Sequence, residues 1–175
     1  LLEKGLRVRV LDNFETGKRE NLTEVLNNIE LAEADIRDES AVRRTVDGAD
    51  VVIHLAALGS VPRSLEDPAA SHASNVNGTF NVLNACRQSR VRRVVFASSS
   101  SVYGESATLP QHEGLPLRPI SPYAATKAAG EMYCEAFCEA YGLQTICLRY
   151  FNVFGPRQDP NSQYAAAIPR FVSAL

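Results

Sequence analysis

The 175 residues predict an α/β fold, a doubly wound parallel sheet with helices linking its strands, and two observations lead there. Short apolar runs alternate with longer stretches of helical spacing, which implies right-handed crossovers and a parallel sheet. Several of the apolar runs also spill into polar residues at their ends, most plainly in V-V-F-A-S-S-S-S-V-Y-G. Open α/β sheets place their ligands beyond the carboxyl ends of the strands, so those polar ends are candidate site residues.

Residues 1–5, L-L-E-K-G, read as the last turn of a helix closed by Gly5. Residues 6–11 alternate apolar and basic side chains and run into Asp12, a strand that ends in a carboxylate. Residues 21–27 suit a short helix, and 29–33 a second strand that leads into the group Asp35, Ile36, Arg37, Asp38. Helical spacing returns at 39–46, and 51–55 form a buried strand broken by A-A-L-G-S-V-P. Residues 69–88 make a long helix whose face carries Asn75, Val76, Thr79, Val82 and Leu83. A strand at 94–97, a polar and Pro-rich surface excursion at 108–121, a helix at 122–141 and a strand at 144–150 complete the alternation. The class is therefore Rossmann-like. No Met opens the chain and residues 164–175 read as a helix that simply stops, so a segment of a longer protein is expected, truncated at both ends.

A hydrophobic content of 45% and a net charge of -2 suit one α/β domain with a sizeable core. The charge is too balanced for a nucleic-acid binder or an acidic tail. No apolar stretch is long enough for a membrane span and no secretory leader pattern opens the sequence, so the expected compartment is the cytoplasm. Cys86, Cys134, Cys138 and Cys147 lack C-x-x-C spacing, and His54, His72 and His112 are far apart, so no metal site is expected. Cys134 and Cys138 share a helical face, and buried thiols explain them better than a disulfide.

Tyr123 and Lys127 in S-P-Y-A-A-T-K carry the sharpest chemical signal. A helix puts positions four apart on one face, and an ammonium beside a phenol stabilises the phenolate, lowering its pKa from about 10 towards working pH. Such pairs also decorate ordinary helices, so the serine run upstream supplies the context.

Seven stretches in this order resemble one family: L-D-N-F, A-D-I-R-D, H-L-A-A-L, S-N-V-N-G-T-F-N-V-L, S-S-S-S-V-Y-G, S-P-Y-A-A-T-K and L-R-Y-F-N-V-F-G-P-R. They are similar to the extended short-chain dehydrogenase/reductases, in particular the NAD-dependent epimerase/dehydratase family acting on nucleotide sugars. The resemblance implies NAD as cofactor, a first strand and Gly-rich turn lying before this chain, and a C-terminal substrate lobe lying mostly beyond it. In the family's strand order the absent strand sits between those ending at Asp12 and Leu55. It also implies a homodimer through the helices at 69–88 and 122–141.

Residue by residue, the resemblance makes Asp12 the acid for the adenosine ribose, with Asn13, Phe14 and Gly17 in the same loop. Asp35 and Ile36 match the pair at the adenine. Leu55, Ala56 and Ala57, then Ala97 and Ser98, match strand ends beside the cofactor, and Tyr150 and Phe151 the nicotinamide side. Asn75 matches a helix asparagine near the cofactor, with a buried core Asn as the plain alternative. Tyr123 would take the sugar's C4 hydroxyl proton, Lys127 would lower its pKa and hold the nicotinamide ribose, and Ser99 would share the proton or orient the oxygen. Ser100 matches a substrate position, Gly59 and Ser60 would approach the hexose, Asn152 matches an asparagine near the sugar diphosphate, and Arg157 is a phosphate or loop-fixing cation or an exposed arginine without a role.

Sister enzymes separate at Ser100 and Ser101. Sugar 4,6-dehydratases carry Asp and Glu there and decarboxylating enzymes carry Glu at the second position, because elimination needs a further acid or base. Two hydroxyls favour an epimerase that removes and returns hydride at C4. A-L-G-S-V-P-R-S and R-Q-D-P-N-S-Q-Y-A-A-A-I-P look like the 4-epimerases of UDP-glucose or UDP-N-acetylglucosamine. A UDP-hexose 4-epimerase is the leading expectation. The alternatives are an NADPH-dependent 4-keto nucleotide-sugar reductase and a non-catalytic nucleotide-binding member.

Overall fold

A computed structural model describes residues 1–106, 108–158 and 171. In chain order the elements are β1 (Val8–Asp12), β2 (Ile29–Glu33), α1 (Glu39–Val46), β3 (Val51–His54), α2 (Val61–Glu66), α3 (Pro68–His72), α4 (Gly78–Gln88), β4 (Arg93–Ser99), α5 (Pro122–Tyr141) and β5 (Gln144–Tyr150). All observed strand pairings are parallel, as the alternation predicts: β1 with β2, β3 with β4, and β4 with β5. β1 does not pair with β3, so the strands fall into a two-stranded and a three-stranded sheet.

Local chemistry explains most boundaries. Asp38 caps α1 by accepting from Ser40 N and Ala41 N, and Ser121 caps α5 by accepting from Ala124 N. Gly142, in the left-handed region at φ 70°, ends α5. Residues 21–27 are not the expected single helix. Two short 3-10 segments, Arg19–Leu22 and Leu26–Asn28, stand there instead, because Asn, Thr and Val support the longer-range helical bond poorly. The long helix is continuous from Pro68 to Gln88 but carries a π-turn at Ala73–Asn77. Helix α2 occupies what reads in sequence as a break: Ser60 caps it by accepting from Arg63 N, and Pro62 is tolerated in its first turn. The expected helix over residues 164–175 lies outside the described residues, apart from the helical Phe171.

One core joins Val42 and Val46 of α1, Val82, Leu83 and Cys86 of α4, Val94 and Phe96 of β4, and Cys134 and Phe137 of α5. Gly130 permits a close approach within it, since a Cβ there would stand 2.4 Å from Phe96 Cζ. The opposite face of the three-stranded sheet keeps Val51, Ile53, Ile146 and Leu148 exposed. After β4, a 3-10 turn at Ser100–Tyr103 leads into the surface excursion, which returns to bond Arg118 N to Val102 O at 2.8 Å. Gly104 makes that return possible, with φ 60° and no room for a Cβ against the Arg118 carbonyl. Among the described residues no helix is long and apolar enough to cross a membrane.

Candidate active site

The end of β4 and the first turns of α5 bring Ser99, Tyr123 and Lys127 together. Ser99 leaves the strand as the cap of the following turn, its Oγ accepting from Ser101 N at 3.2 Å and from Ser101 Oγ at 2.9 Å. The Ser99 side chain also interacts with the Tyr123 phenol and favours its ionised form. Lys127 lies one helical turn deeper, 4% exposed, and its Nζ donates to the Ala97 carbonyl at 2.8 Å. The ammonium sits 5.2 Å from the Phe96 ring centroid and 5.9 Å from that of Tyr123.

Burial disfavours the charged form of both groups. It pulls the Lys127 pKa down from 10.5 to about 8. It also raises the Tyr123 phenol above its ordinary value, with the Ser99 side chain acting the other way. The expected lowering of the Tyr123 pKa by Lys127 is therefore not what this structure shows. Desolvation outweighs the Ser99 interaction, and the ammonium directs a proton to the Ala97 carbonyl. His54 lies in the same interior, its Nε2 2.9 Å from Thr79 Oγ1. Burial, helped by the Lys127 charge, pulls its pKa to about 3 and keeps it neutral.

Several residues that sequence reasoning passed over hold this arrangement. Ser64 of α2 accepts the Tyr123 backbone N–H at 3.0 Å, a second cap for the helix that carries the tyrosine. Thr126 donates to the Tyr123 carbonyl and accepts from Asn75 Nδ2. Asn75 also takes the Leu58 N–H and donates to the Leu58 carbonyl, so its amide clamps the loop after β3. That is the buried core asparagine offered as the alternative to a cofactor contact. Ser98 turns its hydroxyl into the interior, onto Glu131. The only sequence signal for Glu131 was a polar residue on an otherwise apolar helical face, and Ser64 carried none because α2 read as a break.

Part of the set expected from sequence to meet a cofactor lies along a cleft of about 1070 Å³ between β1 and β3, while Phe14, Asp35, Asn75, Ala97, Ser98, Tyr123, Lys127, Tyr150 and Phe151 are not in its lining. Asp12, Asn13, Gly17, Ile36, Leu55, Ala56 and Ala57 line it. Asp12 Oδ1 accepts the N–H of Phe14, which has a positive φ of 54°. Gly17 is so close that a Cβ would stand 3.0 Å from Asp12 Oδ2. Asp35 ties the neighbouring loop: it bonds the Arg37 guanidinium and backbone and accepts from Asn13 Nδ2 at 2.8 Å. The Arg37 hydrogen bond holds the Asp35 carboxyl well below the usual carboxylate range.

Ser100 follows Ser99 in the turn, and Tyr150 lies opposite Ser99 in the β4–β5 register. Phe151 and Asn152 are exposed. Ser60 uses its hydroxyl to cap α2, while Gly59 has open space where a Cβ would point. Arg157 is drawn to the loop after β1, bonding the Asn21 carbonyl and Glu24, a loop-fixing contact. Among the described residues no cluster of three His, Cys, Asp or Glu side chains is placed to hold a metal.

Fold and site together define a Rossmann-like protein of the short-chain dehydrogenase/reductase type. A model of the NAD dependent epimerase/dehydratase family matches residues 1–175, and the chain belongs to that family. It is 40% identical over 179 residues to the UDP-glucose 4-epimerase of Mycolicibacterium smegmatis, an alignment covering 100% of this chain and 57% of that protein. Among solved structures it is similar to the UDP-N-acetylglucosamine 4-epimerase from Methanobrevibacter ruminantium M1 in complex with UDP-N-acetylmuramic acid. There the identity is 44% and the TM-score 0.91, over 96% of this chain and 54% of the other. The Thermus thermophilus UDP-glucose 4-epimerase complex with NAD matches at 45% identity and a TM-score of 0.87, over 93% of this chain and 53% of that one. The chain thus spans about half the length of these relatives.

The Lys127 environment yields a test with a defined sign. The folded pKa lies below the unfolded value, so between about pH 8 and 10.5 the unfolded chain binds more protons and stability rises with pH. Below pH 8 the buried charge costs the fold about 3 kcal/mol. Lys127→Met in the full-length protein is expected to raise the melting temperature at pH 7. Thermal melts at pH 7 and pH 10.5 check this, and the advantage should shrink at the higher pH.

Proposed function

We propose that these residues form the nucleotide-binding and catalytic part of an NAD-dependent UDP-hexose 4-epimerase that works in the cytoplasm. The observation that carries the reading is the Ser99–Tyr123–Lys127 constellation at the end of a parallel strand, followed by hydroxyls and no carboxylate at positions 100 and 101. Tyr123 and Ser99 form a proton-handling pair for a sugar hydroxyl. Lys127 supplies positive charge behind the phenol, and the Ala97 carbonyl keeps the ammonium in place.

At the carboxyl ends of β1 and β3, the donor set on the rim of the cleft fits NAD. Asp12 offers a carboxylate to a ribose diol, Gly17 keeps the adjoining loop free of a side chain, and Leu55, Ala56 and Ala57 present small or apolar surface. When bound, NAD accepts the C4 hydride and returns it. Four free thiols support a reducing compartment.

The trench between β1 and β3, with Val8, Val10, Val51 and Ile53 along it, is the place of a further parallel strand with a Gly-rich turn, supplied from outside the 175 residues. Support comes from the unpaired strands and from relatives about twice as long. The same protein is a homodimer through α4 and α5. There Phe80, Met132, Tyr133 and Tyr141 are exposed, and edge-on ring contacts of Phe80 with Tyr133 and of Tyr141 with Phe137 hold part of the stripe firm.

Proton NMR of the full-length protein with UDP-glucose or UDP-N-acetylglucosamine, without added reductant, should show the galacto epimer. Tyr123→Phe should lose it. No epimer from folded, NAD-loaded protein would discard the reading in favour of reductase chemistry. The isolated 175 residues should melt without a cooperative transition and bind NAD weakly, and a sharp melt with tight binding would refute the strand assignment. Tyr133→Glu should convert the full-length dimer to a monomer by light scattering, whereas an unchanged dimer would place the interface elsewhere.

A further inference from the structure

Helix α5 grips the end of β4 with three side chains spaced four residues apart, and the reaction described above uses only two of them. Tyr123 interacts with the Ser99 side chain, Lys127 donates to the Ala97 carbonyl, and Glu131 accepts from the Ser98 hydroxyl. Four-residue spacing aligns the three along one helical face. Three consecutive residues of the strand are therefore each held by one member of the stripe, and Glu131 holds the middle one.

Glu131 is 9% exposed and Ser98 4% exposed, so their bond is shielded from water. The carboxylate is anchored from its other side by Arg149 of β5, whose Nε and Nη2 lie 3.0 and 2.8 Å from its two oxygens. Arg149 is fixed in turn by the Glu113 carbonyl at 3.3 Å and by stacking 4.9 Å from the centroid of the Tyr103 ring. The network thus ties together the ends of β4 and β5, the excursion before α5, and α5 itself. Neutralising Arg149 would not require the serine. The Ser98 bond adds a directional tether to a strand end whose two flanking residues are both site contacts.

We propose that Glu131 is a positioning residue. By fixing Ser98 it sets the contact of Ala97 with Lys127 on one side and of Ser99 with Tyr123 on the other. The proposal rests on the 4-epimerase reading for its kinetic test, and a second readout, independent of turnover, separates the two.

The test uses the full-length protein, three single variants and one double variant. Ser98→Ala removes the tether and leaves the Glu131–Arg149 pair intact, Ser98→Thr keeps the hydroxyl, and Glu131→Gln removes the charge. Epimerisation of UDP-glucose gives kcat and KM, and NMR of protein labelled with 13C at lysine Cε follows the Lys127 titration, assigned with Lys127→Met. Ser98→Ala is expected to lower kcat by about tenfold with KM changed less than about twofold. It should also move the Lys127 midpoint to lower pH, because a loosened Ala97 carbonyl stabilises the ammonium less. Ser98→Thr should recover most of both. Adding Glu131→Gln to Ser98→Ala should lower kcat little further, since both act through one bond.

Unchanged kcat and an unchanged Lys127 midpoint in Ser98→Ala would overturn the proposal. So would a lower melting temperature with full turnover per folded molecule, which would leave Glu131 a structural role only. If Glu131→Gln does not fold, Ser98→Ala decides alone. If the wild-type protein does not epimerise UDP-glucose while the Lys127 midpoint still moves in Ser98→Ala, the functional reading fails and the positioning role stands.

Discussion

The burial of one ammonium constrains the rest of this site. A charged lysine in the interior is tolerated only where polar partners replace water, and Lys127 has the Ala97 carbonyl with the Phe96 and Tyr123 rings around it. That placement requires α5 to lie close on β4, which Gly130 permits by leaving room for Phe96. It also requires the neighbouring His54 to stay neutral, since a second buried cation would have no partner. The cost of holding this charge is the reason to expect function from it: packing alone would be better served by an apolar side chain.

Around that ammonium, α5 is positioned by residues distant in sequence. Its first turn receives one cap from Ser121 and another from Ser64, 59 positions before Tyr123. Asn75, in a π-turn, reaches Thr126 on α5 and clamps the loop after β3 with the same amide. A π-turn widens the helix locally and presents a side chain where regular winding would not, and such turns are frequent at functional sites. The cleft side and the catalytic side of the molecule are thereby joined through one buried amide.

The readings that succeeded rest on local physics. Strands 29–33 and 144–150 and helices 39–46 and 122–141 stand where periodicity and capping residues put them. The misses have physical causes too. Helix α2 was hidden because Gly, Ser, Val and Pro read as a breaker, while its cap and first-turn proline satisfy helix geometry. Residues 21–27 carry helix-compatible spacing without the propensity to hold it. Arg149 and Glu131 resembled ordinary charges on a strand and a helix. Their pairing across 18 positions, with Ser98 as a third member, exists only once β5 lies beside β4.

By itself the sequence determined the α/β class, most element boundaries and the family, and it singled out Ser99, Tyr123 and Lys127 as candidates, because periodicity, capping and motif spacing are short-range properties. Only the tertiary structure decided how those groups behave. Desolvation, which depends on what packs over a side chain, draws Lys127 to about 8 and raises Tyr123 against the expectation from their spacing. The supports at Ser64, Asn75 and Glu131 belong to the same category, since each bonds a partner that chain order keeps far away and folding brings within hydrogen-bond reach.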